Sequence, residues 1–412
     1  MDINDLLAAR ELLRGVALVT PTEESRWLSR IAGTSVSLKC ENLQRAGSFK
    51  IRGAYVRIAR LSDEERARGV VAASAGNHAQ GVALASSMLG TKATIFMPEG
   101  AALPKVSATR GYGADVEFAG VGVTEALVAA QEFATRTGAV LIHPFDHEDI
   151  MAGQGTVGLE VLEQVPDVKT ILVPVGGGGL AAGIATIRSA HPDVHVVGVQ
   201  AEAASSYAPS LRAGHPVQIS LSATMADGIA VARPGDLPFA VIAEQLDEVV
   251  TVSEESLSQS LLMLLERAKM LVEPSGAAGV AAILENPRHF VGPIVPILSG
   301  GNIDPLVLLQ VIRHGLASTG RFLMFRVRIS DRPGELMRLL ADLAAMQVNV
   351  LNVAHERASE TLGVDQVEVA MQVATRGSEH RAEVNSKLIE LGYDLIPDQW
   401  ATPTPQDLGR CR

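Results

Sequence analysis

The chain has only two cysteines, Cys40 and Cys411, near opposite ends of its sequence. Two thiols so far apart suggest neither a disulfide framework nor a thiolate metal site. Long apolar runs are missing too, and none approaches the roughly 18 residues needed to cross a bilayer. Positive charge is scarce: 35 Lys and Arg stand against 46 Asp and Glu, a net charge of −11 spread without long runs of one sign. Nucleic acids and anionic membranes both require a basic face, so neither is expected as a partner. The opening Met1-Asp2-Ile3-Asn4-Asp5 is acidic and has no basic stretch leading into an apolar one. No secretory signal is expected, and the cytoplasm is the expected compartment.

What the chain does have is apolar content at 47% and charged residues at 20%, the balance of a well-packed globular protein. With 412 residues it exceeds one ordinary core, so two or three domains are expected. From about residue 35 to 315, short β-branched runs alternate with longer apolar-periodic stretches. Val70 to Ser74, Ala93 to Met97, Ile171 to Val175, Val194 to Gln200 and Ile294 to Leu298 read as buried strands. Asn77 to Leu89, Val123 to Thr137, Leu180 to Ser189 and Ser256 to Lys269 read as helices. This alternation predicts an α/β fold with a largely parallel sheet covered on both faces. Ligands in such folds bind beyond the carboxyl ends of the strands.

Near residue 315 the pattern changes. His314 to Gly320 is small and polar and reads as a linker. Beyond it, Phe322 to Ile329, Glu335 to Met346, Val348 to Glu356, Val364 to Val373, Ser378 to Leu391 and Tyr393 to Ile396 give the order βαββαβ. That is the order of a ferredoxin-like α+β unit. The residues from Thr402 on read as a loose tail.

Four stretches could carry chemistry. In Ser48-Phe49-Lys50, the serine reads as a helix N-cap and places Lys50 in the first turn. There the helix end and any apolar cover would lower the lysine pKa and favour the free amine, though for this tripeptide alone a solvated surface lysine is the plainer reading. Ser74-Ala75-Gly76-Asn77-His78 lies between a strand and a helix, where free backbone N–H groups can grip a carboxylate. Its plainer reading is an Asn cap on a tight turn. Gly176-Gly177-Gly178-Gly179-Leu180 again joins a strand to a helix, and four glycines let the backbone wrap a phosphate closely. It lacks the Lys-Ser/Thr ending of a nucleotide-triphosphate loop. Ser299-Gly300-Gly301-Asn302 would put Ser299 at the carboxyl edge of the sheet, able to meet a ring nitrogen, or would be no more than a turn. The histidine pairs His143/His147 and His191/His195 are each interrupted by proline, and neither suggests a metal site.

Taken in order, "SFKIRGA", "SAGNHAQG", "VPVGGGGLAAG", "VEPSGAAG" and "SGGN" resemble the threonine dehydratase branch of the fold type II pyridoxal-phosphate enzymes, which have a tryptophan-synthase-β-like catalytic fold. The resemblance implies pyridoxal 5′-phosphate as cofactor, with Lys50 as its Schiff-base lysine beside Phe49 and Asn77 at its 3′-oxygen. It also implies Gly176 to Leu180 around the phosphate, Ser299 facing the ring nitrogen, and Ser74 to His78 holding the substrate carboxylate. Relatives that racemise serine have a serine where this chain has Ala75, so one-sided chemistry is expected. Where many of them bind a metal through acidic groups, this chain has Gln200, Ala204 and Ser206, leaving only Glu202, so no metal is expected.

The C-terminal unit resembles an ACT domain through "DRPGEL" and "VNVLN", which implies an amino-acid effector at Asp331 and Asn349. The expected organisation is a catalytic region over 1–318, a linker ending at 319–321, an ACT-type domain over 322–400 and a tail over 401–412. The expected function is dehydration and deamination of L-threonine to 2-oxobutanoate and ammonia, with L-serine as a secondary substrate, in a regulated homodimer or homotetramer. A serine-preferring dehydratase or racemase, and a cofactor-binding amino-acid sensor without turnover, are the alternatives.

Overall fold

The computed structural model describes residues 1–357, 363 and 365–396. Two compact units meet in the chain between Leu308 and Leu309.

The first unit is built on two four-stranded parallel sheets. A short antiparallel pair, β1 (Thr22–Glu24) and β2 (Ser37–Lys39), precedes them. The smaller lobe holds β3 (Val70–Ala73), β4 (Ala93–Met97), β5 (Asp115–Phe118) and β6 (Val140–Leu141), in the order β5-β4-β3-β6. The larger lobe holds β7 (Thr170–Pro174), β8 (His195–Ala201), β9 (Glu248–Val252) and β10 (Ile294–Pro296), in the order β10-β7-β8-β9. Every residue of β3 and β7 is buried, which explains why these strands are continuous apolar runs without alternation. Helices pack on the sheets with their small residues inward. Gly183 and Gly155 meet closely enough that a Cβ on either would strike the other helix's backbone.

The second unit is a four-stranded antiparallel sheet of β11 (Phe322–Ser330), β12 (Asn349–Glu356), β13 (Gln366–Ala374) and β14 (Asp394–Ile396), in the order β12-β13-β11-β14. With the helices Glu335–Ala345 and Ser378–Glu390 it forms the expected ferredoxin-like βαββαβ unit. Leu323, Phe325, Val327 and Ile329 alternate along β11 into a core shared with Leu339, Leu343, Val369 and Leu388.

Two local expectations need correction. The stretch His314 to Ser318 is not an open linker but the last part of a helix, Pro305–Ser318, that begins at a proline after Asp304. Its small residues serve packing, since Val311 and Gly315, four apart, form its buried stripe. Ser48 is not the helix cap either. It is extended and bridged to Gly300, and the helix Lys50–Ala59 is preceded by Phe49 in helical conformation. Val364 and the tail over 401–412 lie outside the described residues.

Candidate active site

The carboxyl ends of both sheets open onto one cavity of about 370 Å³. β3 delivers Ser74 to Gly76 and the start of the helix Asn77–Met88, and β7 delivers Gly176 to Gly178 and the helix Gly179–Ala185. The segment after β10 delivers Ser299, and the helix Lys50–Ala59 delivers Lys50 behind Phe49. All the catalytic-region residues singled out from the sequence therefore line the same space: Phe49, Lys50, Ser74 to His78, Gly176 to Leu180 and Ser299. Backbone pairing holds two of these segments together, since the Phe49 N–H donates to the Ser299 carbonyl at 3.2 Å.

The glycine loop is shaped by crowding. A Cβ on Gly177 would run into the Phe145 ring, and one on Gly179 would come within 2.8 Å of Gln154 Oε1. Gly178 sits at φ +105°, where an L side chain is strained. The Tyr207 hydroxyl donates to the Gly177 carbonyl at 3.1 Å, and the Gly235 N–H donates to it at 3.0 Å, so that carbonyl is satisfied within the protein. At the start of a helix the backbone N–H groups have no helical acceptor, so this loop is suited to an anion.

Charge in the cavity is held near neutrality. Burial pushes the Lys50 ammonium down to about 8, against an opposing pull from Glu273. Its Nζ donates to the Pro144 carbonyl at 3.0 Å and lies 5.1 Å from the centre of the Phe49 ring. Burial, reinforced by Asp227, pushes Glu273 up to about 7. His78, buried and hydrogen-bonded through Nε2 to the Ile142 carbonyl at 2.8 Å, falls to about 3 and anchors its helix as a neutral ring. A cavity with a lysine near 8 and a carboxyl near 7 is equipped to move protons at neutral pH.

Glu273, Ser275, Asp227 and Lys105 also line the cavity but were given no role from the sequence. Glu273 accepts from Asn77 Nδ2 at 2.6 Å, and Lys105 Nζ lies 3.1 Å from Asp227 Oδ2. The Ser275 hydroxyl is buried and has no hydrogen-bond partner among the described residues. The available signal was a glutamate followed by proline and small residues in "VEPSGAAG", too apolar a setting for a solvated carboxylate.

Elsewhere, Gln200 spends its amide on the protein itself. It donates to the Val175 and Ala204 carbonyls at 3.3 Å and accepts from the Tyr207 N–H at 2.9 Å. Among the described residues no group of three or more His, Cys, Asp and Glu is placed to hold a metal ion. His143 and His147 accept from backbone N–H groups of Asp146 and Asp149. No helix among the described residues is long and apolar enough to cross a membrane.

In the second unit, Asp331 and Asn349 are not brought together. Asp331 follows β11 beside Asp365 and is paired with Arg357 at 3.1 Å. Asn349 opens β12 opposite Ala374, the residue that also faces Phe322 at the far end of β11. Eight register steps lie between Phe322 and Ser330, a separation of roughly 26 Å.

A family model described as pyridoxal-phosphate dependent enzyme matches residues 14–300. An L-threonine ammonia-lyase of Thermotoga maritima is 44% identical over 95% of this chain and 98% of its own length. One from Geobacter sulfurreducens is 46% identical over 93% of this chain and 96% of its own. Among solved structures, the processed form of threonine deaminase isoform 2 from Solanum lycopersicum superposes with a TM-score of 0.71. It is 37% identical, covering 76% of this chain and 94% of that one. The matched span contains the whole cavity, and the chain belongs to the pyridoxal-phosphate dependent enzymes, with pyridoxal 5′-phosphate as its cofactor.

Proposed function

We propose that this chain is a threonine ammonia-lyase, converting L-threonine to 2-oxobutanoate and ammonia, with slower conversion of L-serine to pyruvate. The observation that carries the reading is the meeting of Lys50, the Ser74–His78 loop, the glycine loop and Ser299 in one cavity. It is supported by two ammonia-lyases that are 44% and 46% identical over nearly the whole chain. The cavity fits the cofactor: a lysine amine to bond it, a cradle that side chains would fill, and an orphaned Ser275 hydroxyl awaiting a partner. When bound, the cofactor supplies an electron sink for the pair left at the substrate's α-carbon.

The chain's own residues do the rest. Lys50 would hold the cofactor covalently, and its neutral Nζ would take the α-proton, a role suited to an amine near pKa 8. Backbone N–H groups of the Ser74–His78 loop hold the substrate carboxylate, and those of Gly176 to Leu180 hold the cofactor phosphate. Asn77 would face the 3′-oxygen. Ser299 would offer the ring nitrogen a hydroxyl, which cannot keep that nitrogen charged as a carboxylate would. Weaker electron withdrawal would favour loss of the β-hydroxyl, which with the proton taken from the α-carbon makes up one water; the released enamine would then take up water and shed ammonia.

The reading extends to an ACT-type second unit that binds an amino-acid effector in a cytoplasmic homodimer or homotetramer. Because Asp331 and Asn349 lie at opposite ends of one sheet, a single effector touching both requires a second copy of the unit. The test is keto-acid production from threonine and from serine, with and without each branched-chain amino acid. Threonine should be the better substrate. Asn349→Ala should abolish an effector shift of about 5- to 150-fold while leaving turnover at saturating threonine unchanged. A chain that binds cofactor yet releases no ammonia from either substrate would overturn the reading.

A further inference from the structure

Four segments distant in sequence converge beside the cavity through two asparagine amides. Asn302 Nδ2 donates to the Ala46 carbonyl at 2.7 Å and to Asn77 Oδ1 at 2.9 Å, while Gln80 Oε1 lies farther off at 3.4 Å. Asn77 Nδ2 donates in turn to Glu273 Oε1 at 2.6 Å. The direction of this chain is fixed at its start. A backbone carbonyl only accepts, so the nitrogen end of Asn302 faces Ala46, and its second hydrogen fixes the oxygen end of Asn77. The Asn77 amide nitrogen must then face Glu273 and the cavity.

The backbone around these groups is shaped to admit them. A Cβ on Gly47 would collide with the Asn302 amide, and one on Gly300 would collide with Glu273 and lie 3.0 Å from Asn77 Nδ2. Ala46, whose carbonyl receives Asn302, holds a left-handed φ of 57°, unusual for a residue with a side chain and costly without support. It lies four residues before Lys50, and the Gly301 N–H donates to the Gly47 carbonyl at 2.9 Å in the same turn. One side chain thus braces the entry to the Lys50 helix and the amide at the head of the Asn77 helix.

We propose that Asn302 is a positioning residue: it fixes the Asn77 amide so that its N–H donor faces the cofactor's 3′-oxygen, and braces the Ala46 turn that presents Lys50. This rests on the reading of Asn77 as a cofactor contact. Asn302 itself acts at one remove, through Asn77 and the backbone.

The experiment is a cycle on the full chain with wild type, Asn77→Ala, Asn302→Ala and the double variant, and with Asn302→Asp as a same-sized replacement lacking the donor. The readouts are the visible absorption maximum of the bound cofactor, its pH midpoint, and the dissociation constant of pyridoxal 5′-phosphate from the apoprotein. Asn302→Ala and Asn302→Asp should move the maximum in the same direction as Asn77→Ala and weaken cofactor binding by about tenfold, the loss expected of one charge-free hydrogen bond or slightly more. The double variant should be no more than about twofold weaker than Asn77→Ala alone, since groups acting in series do not add. A merely structural asparagine would lower the apoprotein's melting temperature and leave the absorption maximum in place, and that result overturns the inference. Additive losses in the double variant overturn it as well. If Asn302→Ala gives no folded protein, Asn302→Asp with a wild-type spectrum is decisive against it. If Asn77→Ala itself changes neither spectrum nor affinity, the cofactor contact at Asn77 is what has failed, and this inference falls with it.

Discussion

Lys50 and Arg52 stand two residues apart on one helix, and both are cations drawn out of bulk water, yet they are held in opposite ways. Around Arg52 the charges close on themselves. Its guanidinium meets Glu41 at 2.8 Å through Nε and Nη2, and Glu160 at 2.6 Å and 3.0 Å through Nη1 and Nη2. Lys39 Nζ adds a 2.5 Å contact to Glu160, and Thr20 donates its hydroxyl to Glu41 at 2.6 Å. Burial alone would lower the Arg52 pKa, but the two carboxylates outweigh it and hold that pKa above the ordinary value. Lys50 donates to the Pro144 carbonyl and, among the described residues, to no carboxylate, so desolvation prevails and its pKa falls to about 8. Desolvation is common to both; paired carboxylates decide whether such a cation keeps its charge or can release its proton near neutral pH.

The sharpest way to break this comparison is to remove each cation in turn. Lys50→Ala should lose all detectable turnover and the visible absorbance of the lysine-bound cofactor, while its apoprotein melts no lower than wild type. Arg52→Ala should do the reverse in kind. It leaves Glu41 and Glu160 buried without their guanidinium, a change that typically costs about 3–5 kcal/mol. Thermal melts of both apoproteins and ammonia assays of both holoenzymes decide it. An Arg52→Ala protein as stable as wild type would mean the closed cluster is not a strut.

A smaller effect sharpens the other side of the comparison. Glu273 keeps its proton up to about pH 7 in the folded chain, against an ordinary 4.5 when unfolded, with burial as the main cause and Asp227 adding to it. Between those values the folded chain binds a proton that the unfolded chain has released. Stability from this group is therefore full below about 4.5 and declines as pH rises to about 7, by up to about 3 kcal/mol. Glu273→Gln cannot ionise and should lack this slope. Its apoprotein should gain on wild type between pH 5 and pH 8, read as the difference between the two melting temperatures at each pH. A constant difference would show that Glu273 is already ionised at pH 5.

Much of this was legible in the sequence because it is local. β3 and β7 are runs of small and β-branched residues, and the glycines after β7 have no role except to let backbone come close. The second unit announces itself by alternation along β11 and by helical spacing in Glu335–Ala345. What was misread depends on distant partners. Ser48 has the composition of a cap, but pairing with Gly300, some 250 residues away, pulls it into extended backbone. His314 to Ser318 looked like a linker, while the helix signal lay upstream in Asp304-Pro305, whose aspartate accepts from the Leu306 N–H at 2.7 Å. Glu273 gained its meaning only when Asn77 and Asp227 arrived beside it.

The smallest expected effect concerns Ala75, which lines the cavity in the loop that opens the Asn77 helix. A serine there would add a hydroxyl to the cavity that Lys50 also lines. Proton transfer is efficient when the group's pKa lies near the working pH, as burial arranges for Lys50. A serine hydroxyl titrates far above neutrality and gains nothing comparable from a single substitution. Wild type should therefore turn L-serine into pyruvate with almost no D-serine. Ala75→Ser should raise D-serine only to a minor share of turnover, with chiral chromatography of the residual serine as the measurement. Fast racemisation by the wild type would defeat the one-sided reading. A variant making as much D-serine as pyruvate would defeat the wider point, because an untuned hydroxyl would then do what is proposed for a lysine whose pKa is lowered to about 8.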